Sequence, residues 1–222
     1  MGFCSDLKLA FQQNASEANA IPMANYMKNR FAFYGIKSEQ RKALLKAIWK
    51  EHSKEINENP WGIALALFQN KERECHYCAV EIISKTLKNK YQKKDIGNIE
   101  ILITHNSWWD TVDATAKDIL GNYLMLYPEE VSTVIERFSN HTNMWLNRSA
   151  ILFQLGYKEH TNPALLFSEC MKHASSNEFF IQKAIGWALR EYAKKNSKAV
   201  LDFVDSTPLK PLSKREALKH FK

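Results

Sequence analysis

The stretch Asn177–Lys194 decides the fold class, and it reads NEFFIQKAIGWALREYAK. Its apolar residues recur every three or four positions, which is the spacing of one face of an α-helix. The predicted core face comprises Ile181, Ile185, Ala188, Leu189 and Tyr192. The stretch therefore predicts a long amphipathic helix that buries one side.

The other side of this helix does not read as core. Lys183, Trp187, Arg190 and Lys194 follow one another at spacings of four, three and four. A tryptophan among cations suits a nucleic-acid backbone, because the cations attract phosphates and the ring stacks on a sugar or base. The alternative is a second packing face beside solvated cations, and the pattern alone does not decide between the two.

Helical spacing extends over nearly the whole chain. The predicted helices are 22–33, 39–51, 60–68, 72–88, 95–104, 108–126, one beginning at Pro128, 144–156, 163–174, 177–194, 197–204 and 213–221. Only 7 Gly and 6 Pro occur in 222 residues, which argues against a turn-rich β-sandwich or barrel. The long helices recur at intervals of about 35–40 residues, which is typical of HEAT or armadillo repeats. We predict one all-α domain over residues 1–222, a HEAT-like helical solenoid with a concave basic face.

Three positions resemble helix N-caps. Asn143 precedes an apolar helix, Ser107 is followed three residues later by Asp110, and Ser213-Lys-Arg-Glu216 has the form of a capping box. Each is therefore predicted to begin a helix.

Two places combine charge with apolar surroundings. Trp109 and Asp113 are one helical turn apart, at the edge of a predicted buried stripe formed by Trp108, Val112, Thr115, Ile119, Tyr123 and Leu126. A half-buried tryptophan beside a solvated aspartate is the simplest interpretation. Arg148 falls in an apolar sector and needs a partner, which is either an internal carboxylate such as Asp110 or Asp113 or the phosphate of a ligand.

The charge is unevenly distributed. The chain carries a net +7, with a sequence pI near 9.1. Residues 1–100 and 172–222 carry net charges of +5 and +6, whereas residues 101–171 carry −4. Basic ends thus flank an acidic middle that contains Asp113, a pattern that suits an anionic partner but also arises from ordinary solvated charges.

Several classes of protein are disfavoured. No apolar run is long enough to span a membrane, and the N-terminal segment does not read as a secretory signal. Cys75-His-Tyr-Cys78 lies in a predicted helix with no second ligand pair, so buried core cysteines are the favoured interpretation and no metal is expected. No glycine-rich phosphate loop is present, so no cofactor is expected. We expect a reduced, cytoplasmic protein, most simply a monomer.

Five segments resemble the AlkD family of bacterial DNA alkylation repair glycosylases. They are YMKN (26–29), SWWDTVD (107–113), RSAILFQL (148–155), FFIQKAIGWALREYA (179–193) and LSKREA (212–217). The likeness runs from about Pro22 to Phe221 and is loose over residues 1–20 and 53–70.

The resemblance implies a HEAT-like fold that binds duplex DNA and hydrolyses the N-glycosidic bond of 7-methylguanine and 3-methyladenine. It also implies that the strand is not cut and that the base is not flipped. The residues matching Trp109, Asp113 and Trp187 would line the lesion's sugar, and those matching Arg148 and Arg190 would meet the backbone. Weaker candidates for backbone contact are Tyr26, Lys183, Ser213, Lys214 and Arg215.

The chemistry of such lesions explains why one carboxylate suffices. A purine alkylated at N7 or N3 is already cationic and leaves without being protonated, so Asp113 need only stabilise the sugar cation and assist the attacking water. A neutral lesion such as uracil should be a poor substrate. The alternative hypothesis is a non-catalytic HEAT-type scaffold or DNA-structure binder, since solenoids are mostly interaction modules.

Overall fold

The computed structural model describes residues 2–221, and the chain divides into two compact units, Met1–Lys90 and Tyr91–Lys222. Within residues 2–221 the chain is helical and has no strand; Ala32 and Glu72 form one isolated bridge. The predicted all-α class is confirmed. The single domain and the solenoid remain predictions.

The first unit contains six α-helices. They are α1 (Phe3–Gln13), α2 (Glu17–Tyr26), α3 (Ser38–Glu51), α4 (Ser53–Glu58), α5 (Pro60–Phe68) and α6 (Arg73–Thr86). Helix α5 packs along α6, and α1 packs on α3 with Phe3, Leu7 and Phe11 fully buried. Asn59 caps α5 by accepting the amide hydrogen of Gly62, and Pro60 occupies the first turn, as its fixed φ favours.

The segment between α2 and α3 is irregular but firmly held. The carboxylate of Glu74 accepts backbone N–H groups from Tyr34, Gly35 and Ile36 at 2.9–3.2 Å. Gly35 has a φ of +84°, and an added Cβ would collide with the backbone of Ser16. Only glycine therefore fits this position.

Some predicted boundaries in the first unit are wrong. Pro22 lies inside α2 rather than at the start of a helix, and the predicted helix 22–33 instead ends at Tyr26. Lys28 and Asn29 then adopt positive φ, which cannot continue a right-handed helix. Helices α1 and α4 were not predicted.

The second unit holds the remaining helices. They are α7 (Ile96–Thr104), α8 (Trp109–Ala114), α9 (Gly121–Leu126), α10 (Val131–Ser139), α11 (Met144–Leu152), α12 (Pro163–Lys172), α13 (Phe179–Ala193), α14 (Ser197–Ser206) and α15 (Pro211–Ala217), with short 3₁₀ turns at Lys93–Asp95, Pro128–Glu130 and Lys158–His160. Helix α13 is central to this unit, because it packs against α11, α12, α14 and α15. Asn143 caps α11 as predicted, by accepting the amide hydrogen of Trp145.

The helical run from Trp109 to Leu126 is not uniform. A π-helical stretch, Thr115–Leu120, joins α8 to α9. The wider turns change the register partway along, so the predicted buried stripe fails at Leu126, which is 40% exposed, while Leu120 and Leu124 are buried. Ser107 does not cap this run: its hydroxyl donates to the carbonyl of Ile103, and the N-cap position belongs to Trp108.

The C-terminal helix also begins earlier than predicted. Helix α15 begins at Pro211, so Ser213 lies within it and is fully buried instead of capping it. The predicted capping box of Ser213 and Glu216 is wrong, because the Glu216 side chain turns towards α13. The two helices approach closely at Gly186, where a Cβ would lie 2.9 Å from the Ser213 carbonyl oxygen.

The two cysteines of the Cys75-His-Tyr-Cys78 motif are buried, as predicted. Cys75 and Cys78 are buried in α6, and burial raises the pKa of Cys78 to about 11. Among residues 2–221, no three His, Cys, Asp or Glu side chains converge as a metal site would require. Nor is any helix in the described part of the chain both long and apolar enough to cross a bilayer.

Candidate functional site

Asp113 and Arg148 form the most deeply embedded ion pair of the second unit. Asp113 lies near the end of α8 and Arg148 in the middle of α11. Nε of Arg148 donates to Oδ1 of Asp113 at 2.6 Å, and Nη2 donates to Oδ2 at 2.8 Å. This is a two-point contact between a planar guanidinium and a carboxylate, the strongest geometry for such a pair.

A third helix completes the arrangement. Nη1 of Arg148 donates to the backbone carbonyl of Phe180, in the first turn of α13. Each of the three guanidinium nitrogens thus donates a hydrogen bond, and the Arg148 residue is only 4% exposed. Arg148 therefore links α8, α11 and α13. The carboxylate of Asp113 compensates its charge, which would be costly to bury unpaired.

An aromatic cluster extends from this ion pair through Phe180. The ring centroids of Trp108, Trp145 and Phe180 lie 5.1–5.8 Å from one another. The guanidinium carbon of Arg148 is 5.8 Å from the centroid of Phe180. The ring of Phe180 thus covers part of the guanidinium, and exclusion of water there strengthens its attraction to the carboxylate of Asp113.

The carboxylate of Asp113 is buried but not sealed, since 12% of its side chain is exposed. Burial raises its pKa above the ordinary value, Arg148 opposes this rise, and the charge of Asp110 adds to it. Each oxygen uses one lone pair for Arg148 and keeps another. The group can therefore accept a proton or face a developing cation without losing its partner.

The two predicted sugar-lining tryptophans are both half-buried. Trp109 begins α8, one turn before Asp113, so the two side chains are neighbours on one face. Trp187 lies two turns beyond Phe180 on α13, where it packs against the edge of the apolar core rather than standing clear of it. Part of the Trp187 side chain therefore packs on the core, as a second packing face would, and the rest is accessible, as contact with DNA would require.

A second ion cluster lies on the same face of α13 as Trp187. The carboxylate of Glu216 accepts from Nζ of Lys183 at 3.0 Å and from Nη1 of Arg190 at 3.0 Å. The same Nη1 atom donates to the backbone carbonyl of Glu216 at 2.8 Å. The Glu216 side chain is 11% exposed, and the hydrogen bond from Lys183, followed by that from Arg190, lowers its pKa.

The other cations predicted to meet DNA are more exposed. Lys214 lies 3.6 Å from Asp205, and Arg215 is exposed on α15. Lys194 is paired with Glu191 at 2.6 Å. Tyr26 is exposed at the end of α2, in the first unit. Ser213 is fully buried, so its hydroxyl is not placed to meet a phosphate.

The sequence anticipated part of this site. Of the alternatives for Arg148, the structure favours the internal carboxylate Asp113, and a direct phosphate contact stays a prediction. The carbonyl of Phe180 was missed, because no side-chain pattern reports which backbone group will be used. Glu216 was noticed but interpreted as a helix cap, since its spacing from Ser213 matches both roles.

Comparisons with known proteins agree with the resemblance. A family model described as DNA alkylation repair enzyme matches residues 7–221. A solved structure described as a predicted DNA alkylation repair enzyme from Enterococcus faecalis is 33% identical, covers 93% of this chain and 96% of its own, and superposes with a TM-score of 0.85. A search of curated proteins found no match. The chain therefore belongs to the DNA alkylation repair enzyme family, which gives it a role in the repair of alkylated DNA.

Proposed function

We propose that this protein is a monofunctional DNA glycosylase that releases cationic alkylated purines, such as 7-methylguanine and 3-methyladenine, from duplex DNA without flipping the base. The observation that carries the proposal is the Asp113 carboxylate, which is held at two points by Arg148, is partly open to solvent and lies one turn from Trp109. We expect the enzyme to act as a cytoplasmic monomer, without a metal or cofactor.

The reaction would proceed as a displacement at the lesion's sugar. A water molecule adds to C1′ while the bond from C1′ to the purine nitrogen breaks, and the bonding electrons neutralise the positive charge of the purine. Asp113 stabilises the cation that develops on the sugar and accepts the proton that the water loses. Because the departing base is already cationic, no general acid is required.

The neighbours of Asp113 would support this step. Arg148 opposes the rise in the carboxylate's pKa that burial causes, and it fixes the direction of the remaining lone pairs. Trp109 and Trp187 would lie against the sugar, exclude bulk water and add cation–π attraction as charge develops. Lys183 and Arg190 would bind backbone phosphates, with Lys214 and Arg215 as weaker contacts; in the first unit, Tyr26 is proposed separately as a backbone contact.

The test is base release from methylated duplex DNA, with the free bases separated and quantified. We expect wild-type protein to release both cationic purines, to leave the strand uncut and to act poorly on uracil. Asp113→Asn should lower the rate by about 100-fold or more, the effect typical of a lost acid–base group.

The matched control is Asp118→Asn, which removes an exposed carboxylate from the same helical run and should leave the rate unchanged. An Asp113→Asn variant as active as wild type would refute the mechanism. Tight DNA binding by the wild type without release of either base would instead favour the non-catalytic scaffold.

A further inference from the structure

The cluster of Lys183, Glu216 and Arg190 has a carboxylate at its centre, which is unexpected on a face proposed to meet phosphates. Glu216 lies on α15, whereas both cations lie on α13 at positions seven residues apart. Each carboxylate oxygen serves one cation, at 3.0 Å in both cases. The contact therefore bridges two helical turns of α13.

The cations retain donors that Glu216 does not use. Glu216 contacts only Nη1 of Arg190, and the guanidinium has three further N–H donors on Nε and Nη2. Lys183 keeps two of its three Nζ protons for other acceptors, and 37% of its side chain is exposed. The carboxylate, by contrast, is 11% exposed. Glu216 thus holds the two cations from their more buried side, and 18% of the Arg190 side chain remains exposed.

The backbone of Glu216 is held in place by the packing of α15 on α13. Helix α15 approaches α13 at Gly186, one residue before Trp187, where a side chain would collide with Glu216 and with the Ser213 carbonyl. The Glu216 carbonyl also accepts from Arg190. Arg190 therefore has two fixed acceptors on one residue, which removes most of the rotamer freedom of a long side chain.

We propose that Glu216 is a positioning residue for the reaction, which sets Lys183 and Arg190 on either side of Trp187 so that they meet two DNA phosphates in one geometry. This inference rests on the proposed function. Two like charges on one helical face repel, and the buried carboxylate offsets that repulsion before DNA arrives. Glu216 need not touch the DNA to act in this way.

The primary experiment measures single-turnover base release with protein in excess, alongside the affinity for undamaged duplex DNA. Glu216→Gln keeps the volume of the side chain but cannot accept from both cations through charged oxygens. We expect the rate at saturation to fall about tenfold, the effect of losing one charge-assisted contact, with the affinity changed by less than about threefold. The control Asp202→Asn removes an exposed carboxylate that pairs with Lys198 on α14 and should alter neither quantity.

A double-variant comparison separates positioning from general stability. In a Lys183→Gln/Arg190→Gln background, adding Glu216→Gln should produce no further fall in rate, because the groups on which Glu216 acts are already gone. A further tenfold fall in that background would show that Glu216 acts through the fold and would overturn the proposal. A wild-type rate in the single Glu216→Gln variant would overturn it as well.

A second variant covers the case in which Glu216→Gln does not fold. Glu216→Asp keeps the charge but withdraws the carboxylate by one methylene, so that it cannot reach both cations at once. We expect a folded protein with a lowered rate, and a rate equal to wild type would overturn the proposal. If wild-type protein releases no base at all, the proposed glycosylase function fails first, which distinguishes that failure from this one.

Discussion

Arg148 binds Asp113 through two guanidinium nitrogens, and its third guanidinium nitrogen donates a hydrogen bond to the Phe180 carbonyl. A single side chain thus orients the proposed catalytic carboxylate and joins it to the helix that carries Trp187. Arg148 is buried in this position. Its influence on the reaction should therefore pass through Asp113 rather than through the DNA backbone.

Replacing Arg148 by lysine tests this relationship. Lysine keeps the charge but loses the planar two-point contact, so we expect base release to slow by about tenfold or more. We expect Arg148, buried against Asp113, to act through that carboxylate, so the dependence of DNA affinity on salt concentration should keep the wild-type slope. Arg137→Lys, at an exposed pair with Glu100, is the matched control. A shallower slope for Arg148→Lys would instead reveal a direct phosphate contact.

The pH dependence of base release should report the environment of Asp113. Burial raises its pKa and the nearby charge of Asp110 raises it further, so activity should increase as the pH rises through this value and the carboxylate ionises. Asp110→Asn removes one of these influences and should move the rise in activity to lower pH. Rates are measured from pH 4 upward, after subtraction of the spontaneous loss of purines. A shift to higher pH would contradict this assignment.

Because α13 and α15 approach closely at Gly186, we expect replacement by alanine to affect stability differently at Gly186 and at Gly97. Gly186→Ala places a methyl group against Glu216 and Ser213 and should lower the free energy of unfolding by about 1–3 kcal/mol. Gly97→Ala, in α7, meets nothing within 4 Å and should be neutral or raise it by up to about 1 kcal/mol. Urea denaturation measures both, and equal effects would argue against tight packing at Gly186.

The ion cluster at Glu216 should stabilise the fold in a pH-dependent way. Its pKa is lowered in the folded protein, so its contribution is complete above the ordinary glutamate pKa and disappears as the pH falls through the lowered value. At pH 7, Glu216→Gln should lower the free energy of unfolding by roughly 1–3 kcal/mol. The difference from wild type should shrink in acid, and a difference independent of pH between 7 and 3 would exclude an ionic origin.

The sequence predicted those features that depend on local spacing. The core face of α13 follows from the positions of Ile181, Ile185, Ala188 and Leu189, all of which are buried. The cap at Asn143 and the first turn at Pro60 follow from the chemistry of single residues. The pairing of Trp109 with Asp113 on one face required only that the helix begin near Trp108.

The features that the sequence did not predict depend on packing between distant segments. The capping-box pattern at Ser213 could not reveal that α15 begins two residues earlier and lies against Gly186, which turns Glu216 towards Lys183 and Arg190. A helical wheel assumes 100° per residue, so it could not follow the change of register after Ala114. The sequence leaves Asp110, Asp113 or a ligand phosphate as the partner of Arg148, and only the structure shows that Asp113 is bound.

The π-helical stretch Thr115–Leu120 affects how many residues the chain needs between Asp113 and Tyr123. Its turns contain more residues than those of an α-helix, so the residues after Leu120 face a different direction from the one that an unbroken α-helix would give them. Asp113 keeps its contact with Arg148 at one end, and Tyr123 donates to the Lys93 carbonyl at 3.0 Å at the other. We expect the loss of one residue between these anchors to be partly absorbed, because the stretch can tighten towards an α-helix, whereas the same change between Trp109 and Asp113 would rotate the tryptophan away from the carboxylate.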